Sequence, residues 1–415
     1  MRVLHINAVY GVGSTGVIME DIHKLSMENG IESYVAYSTT RRTADEITNG
    51  YVIGKKWGKK LHGVLCRING KQAYFSSMAT KKLLKHLDKI KPDIVHLHNL
   101  HSNYINLNML LKYLAKMNIS TVITLHDCWF YTGGCFHYTN AKCDGWLKEC
   151  GSCPKKKADT PAYVFDCSRQ ILKDRKKYFG TIKDLTVVGV SEWITAEGTR
   201  TFLNGRNAIA IHNGIDTDFF VPTESNLRKE LGLDNKFVVL GMSNKWLDPV
   251  NKDALEYFSQ NLPDDAAMLI VGCSQSQIEK LPPKVNGMGY VYDRDKLRKI
   301  YSLADVFANC TREESLSLVN VEAQCCGTPT VTYRNTGAQE TVDNISSFSV
   351  ETENYKELFS KVMEIKESGK ANYSEKCREF VKNEFDRQEN YKKYIQLYKE
   401  IFSKRKDSMK EDIND

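Results

Sequence analysis

Two carboxylates eight residues apart, Glu314 and Glu322, bracket the segment of this chain best equipped for chemistry. Between them run Ser315-Leu316-Ser317-Leu318-Val319-Asn320-Val321, and Ala323-Gln324-Cys325-Cys326-Gly327-Thr328-Pro329 follows. Leu318, Val319 and Val321 alternate with polar residues as on a helix, which Gly327-Thr328-Pro329 ends. An apolar run over residues 304–310 reads as the strand before it. Glu314 therefore belongs to a strand-to-helix loop, and Glu322 lies about two turns into the helix. Open parallel sheets bind their ligands at such loops. The free N–H groups of a helix start suit a phosphate, and a carboxylate beside them can accept hydrogen bonds from sugar hydroxyls.

Other segments carry reactive types at strand ends. Ala8-Val9-Tyr10-Gly11-Val12-Gly13-Ser14-Thr15-Gly16 follows the first strand, and its glycines let backbone approach a ligand. A tight turn without a ligand is the alternative. A dinucleotide site fits poorly, because the second strand ends in Ala36-Tyr37-Ser38 without an acidic residue. Asp93-Ile94-Val95-His96-Leu97-His98 places two histidines on one strand, where they either face a ligand or are hydrogen-bonded internally. Thr121-Val122-Ile123-Thr124-Leu125 delivers His126 and Asp127 at its end; His126 can donate to a sugar hydroxyl, and Asp127 can orient it or face an acceptor. Five of the twelve cysteines fall in residues 128–153. Cys135, Cys143, Cys150 and Cys153 include one pair at zinc-ribbon spacing, with His137 as a substitute ligand. Structural zinc, free thiols and disulfides all remain open. A metal would replace the hydrophobic core that the long loop, residues 129–154, is expected to lack.

These residues need rigid elements behind them, and the chain supplies an alternation of strand and helix patterns. Strands are expected at 2–8, 32–37, 93–98, 119–125 and 185–190, then at 207–212, 237–241, 267–272, 304–310 and 329–333. Helices are expected at 16–29, 79–90 and 104–117, then near 251–261, 294–303, 317–326 and 355–368. The fold class is α/β: two Rossmann-like doubly wound domains. The expected limits are 1–205, with a Cys-rich loop at 128–154, then 206–373. An aromatic-rich helical segment, 374–415, follows, its charged last dozen residues expected to fray.

With 41% hydrophobic and 26% charged residues the composition is that of a globular protein. No apolar run is long enough to span a membrane, and no signal peptide opens the chain, so a cytosolic protein is expected. The net charge of +7 is uneven, roughly +12 over residues 1–200 and roughly −5 beyond. Lys55-Lys56-Trp57-Gly58-Lys59-Lys60 and its surroundings interleave cations with apolar residues. That mix suits an anionic membrane surface, a solvated basic face being the alternative. No nucleic-acid motif accompanies the charge, so no nucleic-acid partner is expected.

The glutamate pair resembles the signature of the retaining glycosyltransferases of family 4, which have the GT-B fold of two such domains facing across a cleft, with a C-terminal helical segment, here 374–415, that crosses back to pack on the first domain. The resemblance extends from the glycine loop through Pro92-Asp93 and His212-Asn213-Gly214-Ile215-Asp216 to the pair itself. It implies that Glu314 contacts the donor sugar and that Glu322 holds the ribose. It places the Gly13 loop opposite the donor diphosphate, Ser317, Leu318 and Val319 at the donor, and Asn213 and Gly214 near the phosphates. It also puts His126 beside the transferred sugar, with His98 and Asp127 on the acceptor side. Where the family has an arginine and a lysine after the strand at 237–241, this chain has Lys245 and Lys252; Lys252 aligns with the family lysine, and Lys245 stands in for the arginine. Serines replace two family glycines, at Ser315 and Ser317.

The implied reaction moves a sugar from a UDP- or GDP-sugar to a glycan or lipid-linked glycan in bacterial capsule or exopolysaccharide assembly, with retention and no catalytic metal. The cysteine-bearing insertion resembles a subgroup from exopolysaccharide and colanic-acid-type biosynthesis. A non-catalytic nucleotide-sugar-binding partner on the same fold is the alternative, motivated by the missing arginine.

Overall fold

The central strands are short and buried on both faces, which is why they read as apolar runs rather than alternating ones. All six residues of Ala266–Val271 and all five of Leu185–Gly189 are buried. The structure is a computed structural model that describes residues 1–159 and 161–414, with side chains to 407. Most of the charged end expected to fray lies outside the described side chains. Two compact units divide the chain, one of residues 1–211 with Tyr391 onward, the other of residues 212–390.

In the first unit the order is β1 (Arg2–Tyr10), α1 (Gly13–Glu28), β2 (Glu32–Thr40), β3 (Gly50–Val52), α2 (Lys56–Asn69), α3 (Ser77–Ile90), β4 (Ile94–Leu97), α4 (Leu107–Lys116), β5 (Ser120–Leu125), α5 (Ser168–Gly180), β6 (Leu185–Gly189), α6 (Glu192–Thr199) and β7 (Asn207–Ala210). The seven strands are parallel in the order β3-β2-β1-β4-β5-β6-β7. The order reverses between β1 and β4, where His5 pairs with His96. Strand β7 closes this sheet, although the sequence pattern assigns residues 207–212 to the second half.

The second unit continues with α7 (Leu227–Glu230), β8 (Phe237–Met242), α8 (Ser243–Trp246), α9 (Lys252–Asn261), β9 (Ala266–Val271), α10 (Gln275–Ile278), β10 (Val285–Met288), α11 (Arg294–Leu303), β11 (Val306–Asn309), α12 (Leu318–Cys325), β12 (Thr330–Tyr333), β13 (Phe348–Val350), α13 (Tyr355–Ser368) and α14 (Ala371–Phe385). Its six strands are parallel in the order β10-β9-β8-β11-β12-β13, with the reversal between β8 and β11. The strands that the pattern does not reveal, β3, β10 and β13, are three or four residues long and sit at or next to sheet edges, too short to establish a period.

The helical tail is not continuous. It breaks at Asp386, where Ile215 N–H donates to the Phe385 carbonyl (2.9 Å) and Arg387 N–H to the Ile215 carbonyl (3.0 Å). The last helix, α15 (Arg387–Asn414), then buries Tyr394, Ile395, Tyr398 and Ile401 against Val3, Ile22, Ile94 and Val188 of the first unit.

The loop 128–167 also differs from expectation. It has its own core: Trp129, Phe130, Tyr131, Tyr138 and Trp146 are buried. Tyr138 and Trp146 stack at 4.4 Å. The buried Arg175 lies 3.9 Å over the Trp129 ring and donates to the Trp129 and Thr132 carbonyls.

Candidate active site

Strand β8 ends at Met242 and turns at once into α8, because Trp246 is anchored beneath it. The Trp246 indole N–H donates to the Ala308 carbonyl of β11 (2.7 Å). Its ring lies where a side chain on residue 241 would stand, 2.3 Å from an added Cβ, so only Gly241 fits. This single turn points Lys245 across the reversal of the sheet, and its Nζ lies 3.1 Å from Glu314 Oε1. Glu314 reaches the same place from the end of β11. Its N–H donates to Thr336 Oγ1 (3.0 Å), and its carbonyl accepts from Gly337 N–H (3.0 Å).

Behind the loop is a buried polar lattice. Asn309 Nδ2 donates to Ser317 Oγ (3.0 Å) and Asn320 Oδ1 (2.7 Å), and Asn320 Nδ2 donates to Thr341 Oγ1 (2.9 Å). The lattice fixes the start of α12. There the first N–H groups, Leu318 and Val319 among them, precede the first intrahelical bonds and have no partner within the helix. Two buried atoms at this loop, Glu314 Oε2 and Ser315 Oγ, lack a hydrogen bond, an arrangement that calls for a polar ligand. Glu322 lies one turn into α12, not the expected two, because the helix begins only at Leu318, and it accepts from the Tyr301 hydroxyl (2.8 Å). Burial pushes its carboxyl up to about 7, against the pull of that hydroxyl and of Arg294.

Lys252 does not join this group. It stands at the start of α9 with a side chain 72% exposed and pairs with Glu256 at 3.4 Å. Asn213 is buried with Oδ1 unpaired. Gly214 lies against the backbone of Arg387, where a Cβ would come within 2.2 Å, so its need for glycine is structural. Thr336 and Tyr301 position the two glutamates, and the sequence gives little sign of either. Thr336 lies in Asn335-Thr336-Gly337-Ala338-Gln339-Glu340, which resembles the family's glycine-glycine turn ending in glutamate and by sequence reads as a structural turn; Tyr301 is one of 21 tyrosines.

In the first unit, Gly11 and Gly13 both take positive φ, +64° and +63°. Gly11 N–H donates to the Gly16 carbonyl (3.0 Å), and a Cβ on Gly13 would meet open space. The β1/β4 reversal holds a chain of imidazoles: His5 Nδ1 is 3.4 Å from His98 Nε2, and His98 Nδ1 is 3.1 Å from His126 Nε2. His126 Nδ1 is buried and unpaired. Burial pushes His126 down to about 4, though Asp127 opposes it, so the imidazole is neutral near pH 7. Burial alone would raise Asp127; His101, 3.3 Å away, with the Trp129 N–H and His137, outweighs it and holds the carboxyl low. His96 completes a set whose nitrogens lie within 4.8 Å of one another with His5 and His98. Its own two nitrogens are taken by the Tyr398 hydroxyl (2.6 Å) and Thr124 Oγ1 (2.7 Å).

Cys135, Cys143, Cys150 and Cys153 line one small cavity beside Trp146, all as free thiols. Burial pushes Cys135 up to about 12 and Cys150 up to about 11. Among the described residues no three of these sulfurs lie within 4.8 Å of one another. His137 Nδ1 is 3.9 Å from the sulfur of Cys128, a cysteine outside that four.

The Glycosyltransferase Family 4 profile matches residues 17–219, and the "Glycosyl transferases group 1" profile matches residues 225–387. The putative colanic acid biosynthesis glycosyl transferase WcaC of Escherichia coli is 22% identical over 377 residues, 86% of this chain and 89% of its own. Anabaena Alr3699/HepE, solved with UDP, superposes with a TM-score of 0.65 at 17% identity, over 96% of this chain and all of its own. Sucrose-phosphate synthase of Thermosynechococcus elongatus superposes at 0.64 and 14% identity, over 97% of this chain and 99% of its own.

Proposed function

The chain belongs to the family 4, group 1 glycosyltransferases and has their GT-B architecture; from that premise we propose that it moves a sugar, with retention, from a nucleotide diphosphate sugar to a glycan hydroxyl. The observation that carries this reading is the Lys245–Glu314 contact across the β8/β11 reversal, beside the start of α12. Departure of a nucleoside diphosphate leaves charge that must be stabilised where it develops. Lys245 and the first N–H groups of α12 supply that stabilisation. Glu314 is held in place by Thr336 and keeps one oxygen for a sugar hydroxyl. Glu322 accepts from the ribose. In this reading Lys245 neutralises the donor diphosphate, a role that the family resemblance implies for Lys245 and Lys252 together, and Lys252 stands apart from the group. His126, neutral and with one nitrogen unpaired, offers a hydrogen bond to a sugar hydroxyl, and His98 positions it. Gly13, the Asn213 amide, Asp127 and the backbone at Ser317, Leu318 and Val319 remain in the proposed binding set.

HepE was solved with UDP and with UDP-glucose, which favours a uridine donor as the first to test. The similarity to WcaC favours an acceptor in cell-surface polysaccharide assembly, taken as a lipid-linked glycan in the cytosol. We further propose that Cys135, Cys143, Cys150 and Cys153 hold a structural zinc. Buried thiols are neutral; a cation draws them to thiolates, and rotamer changes are needed to close them on it.

The test is binding and hydrolysis across UDP- and GDP-sugars with wild type, Glu314→Ala, Lys245→Ala and Lys252→Ala. One donor is expected to bind and hydrolyse slowly. Glu314→Ala and Lys245→Ala are expected to lose about 100-fold in rate, and Lys252→Ala little. A donor bound but never turned over, even with glycan acceptors, would identify a binding partner rather than an enzyme. Absence of any nucleotide-sugar binding would refute the site.

A further inference from the structure

From Ile47 to Leu87 the chain has nine Lys and Arg residues and no Asp or Glu. Helix α2 lies in the middle of this stretch, and its apolar side is turned the wrong way for a core. Trp57, Leu61, Val64, Leu65 and Ile68 recur at helical spacing on one face. Trp57 is 60% exposed, Leu61 54% and Val64 55%. The residues α2 buries are His62, bonded to Ser76 Oγ (2.7 Å), and Cys66.

The apolar face continues beyond the helix. Val52 and the start of α3 at Met78 join it, around a groove of ≈ 450 Å³ that also reaches Leu65 and Phe75. At the other end, Tyr163 N–H donates to the Arg67 carbonyl (2.7 Å), and Val164 and Phe165 N–H donate to the Ile68 carbonyl (3.0 and 2.9 Å). This clips three more exposed apolar side chains onto the last turn of α2. Around the apolar side chains stand Lys55, Lys56, Lys60, Lys81, Lys82 and Lys85. All six are exposed, and none has an ion-pair partner among the described residues.

We infer that this face docks on the surface of a bilayer containing anionic lipids. Trp57, Leu61, Val64, Met78 and Phe165 enter between the acyl chains, and the lysines meet lipid phosphates. Charge selects this occupant over the others. A second copy would bring two strongly cationic faces together across an isologous contact. A nucleic acid would satisfy the lysines but leave the apolar side chains in water. The inference goes beyond the transferase reading and does not depend on it.

The experiment is flotation of the full chain with vesicles of phosphatidylcholine alone or with about 30% phosphatidylglycerol. Analytical ultracentrifugation of the protein alone runs beside it. Expected are binding to the anionic vesicles at low salt, about tenfold weaker binding to the neutral ones, and release at high salt. Trp57→Ser with Leu61→Ser, and separately Lys81→Glu with Lys82→Glu, are each expected to weaken binding about tenfold. Melting temperature and donor hydrolysis in solution are expected to stay at wild-type values. The inference is overturned if anionic vesicles do not bind, if neutral vesicles bind equally, or if the variants bind like wild type. A dimer dispersed by Trp57→Ser would assign the face to self-association instead, and duplex DNA binding that competes with vesicles and survives Trp57→Ser would reduce it to a polyanion site.

Discussion

Glu322 is the side chain whose protonation should be most visible. Its carboxyl sits near 7 in the fold because burial penalises the charged form, against about 4.3 in an unfolded chain. Between those values the folded chain holds a proton that the unfolded chain has released. Its contribution to stability therefore falls as pH rises through that window. In the proposed site ligand binding has the opposite slope, because there only the Glu322 carboxylate would accept from both ribose hydroxyls. Nucleotide affinity is expected to rise about tenfold between about pH 6 and about pH 8. Calorimetric titration of Glu322→Gln should show a flat profile at the low-pH affinity; a slope retained in that variant would place the titrating group elsewhere. Among the cysteines, metal analysis of protein purified without chelator is expected to give one zinc per chain. Cys150→Ser with Cys153→Ser should abolish it. Twelve titratable thiols and no metal would leave the cluster as packing residues only.

The site depends on two elements held by packing. Helix α8 is a single turn with little stability of its own; Trp246, under Gly241, is what fixes it. Gly241→Ala forces the indole to move and breaks its bond to Ala308. The expected cost is about 1–3 kcal/mol of stability. Because Lys245 is the neighbour of Trp246, nucleoside diphosphate binding should weaken about tenfold as well. A melting curve and a binding isotherm on the same preparation check both effects, and lost stability with unchanged binding would show that Lys245 is positioned independently of Trp246. The helix α12 was legible in the sequence because apolar spacing and Gly327-Thr328-Pro329 delimit it. The α8 turn was not, because four residues show no period.

For the molecule as a whole, the decisive element is α15, which returns to the first unit from the far end of the sequence. Tyr394, Ile395, Tyr398 and Ile401 cover Val3, Ile22, Ile94 and Val188, and the Tyr398 hydroxyl holds His96. Each such side chain contributes about 1.5–3 kcal/mol by its burial, so together they are comparable to the whole stability of a domain, about 5–15 kcal/mol. A chain ending at Asn390 is expected to lose the cooperative unfolding transition of the first unit while its second unit still binds nucleotide. Calorimetry would decide it: two intact transitions in the truncated chain would mean that α15 is dispensable.

The doubly wound architecture could be read from the order of amino acids, since buried parallel strands and amphipathic helices impress their periods on neighbouring residues. So could the glutamate pair and the His126-Asp127 strand end, since each lies within one strand-loop-helix segment. Which lysine pairs with Glu314 emerged only in three dimensions. Lys245 and Lys252 are seven residues apart and alike in chemistry, but Trp246 turns the first toward the sheet reversal and α9 carries the second into water. Only the fold, too, revealed the Thr336 and Tyr301 contacts, the imidazole chain from His5 to His126, and the outward face of α2. Each depends on contacts between residues remote in sequence, or on which side of a helix the rest of the chain covers, and no local pattern encodes either.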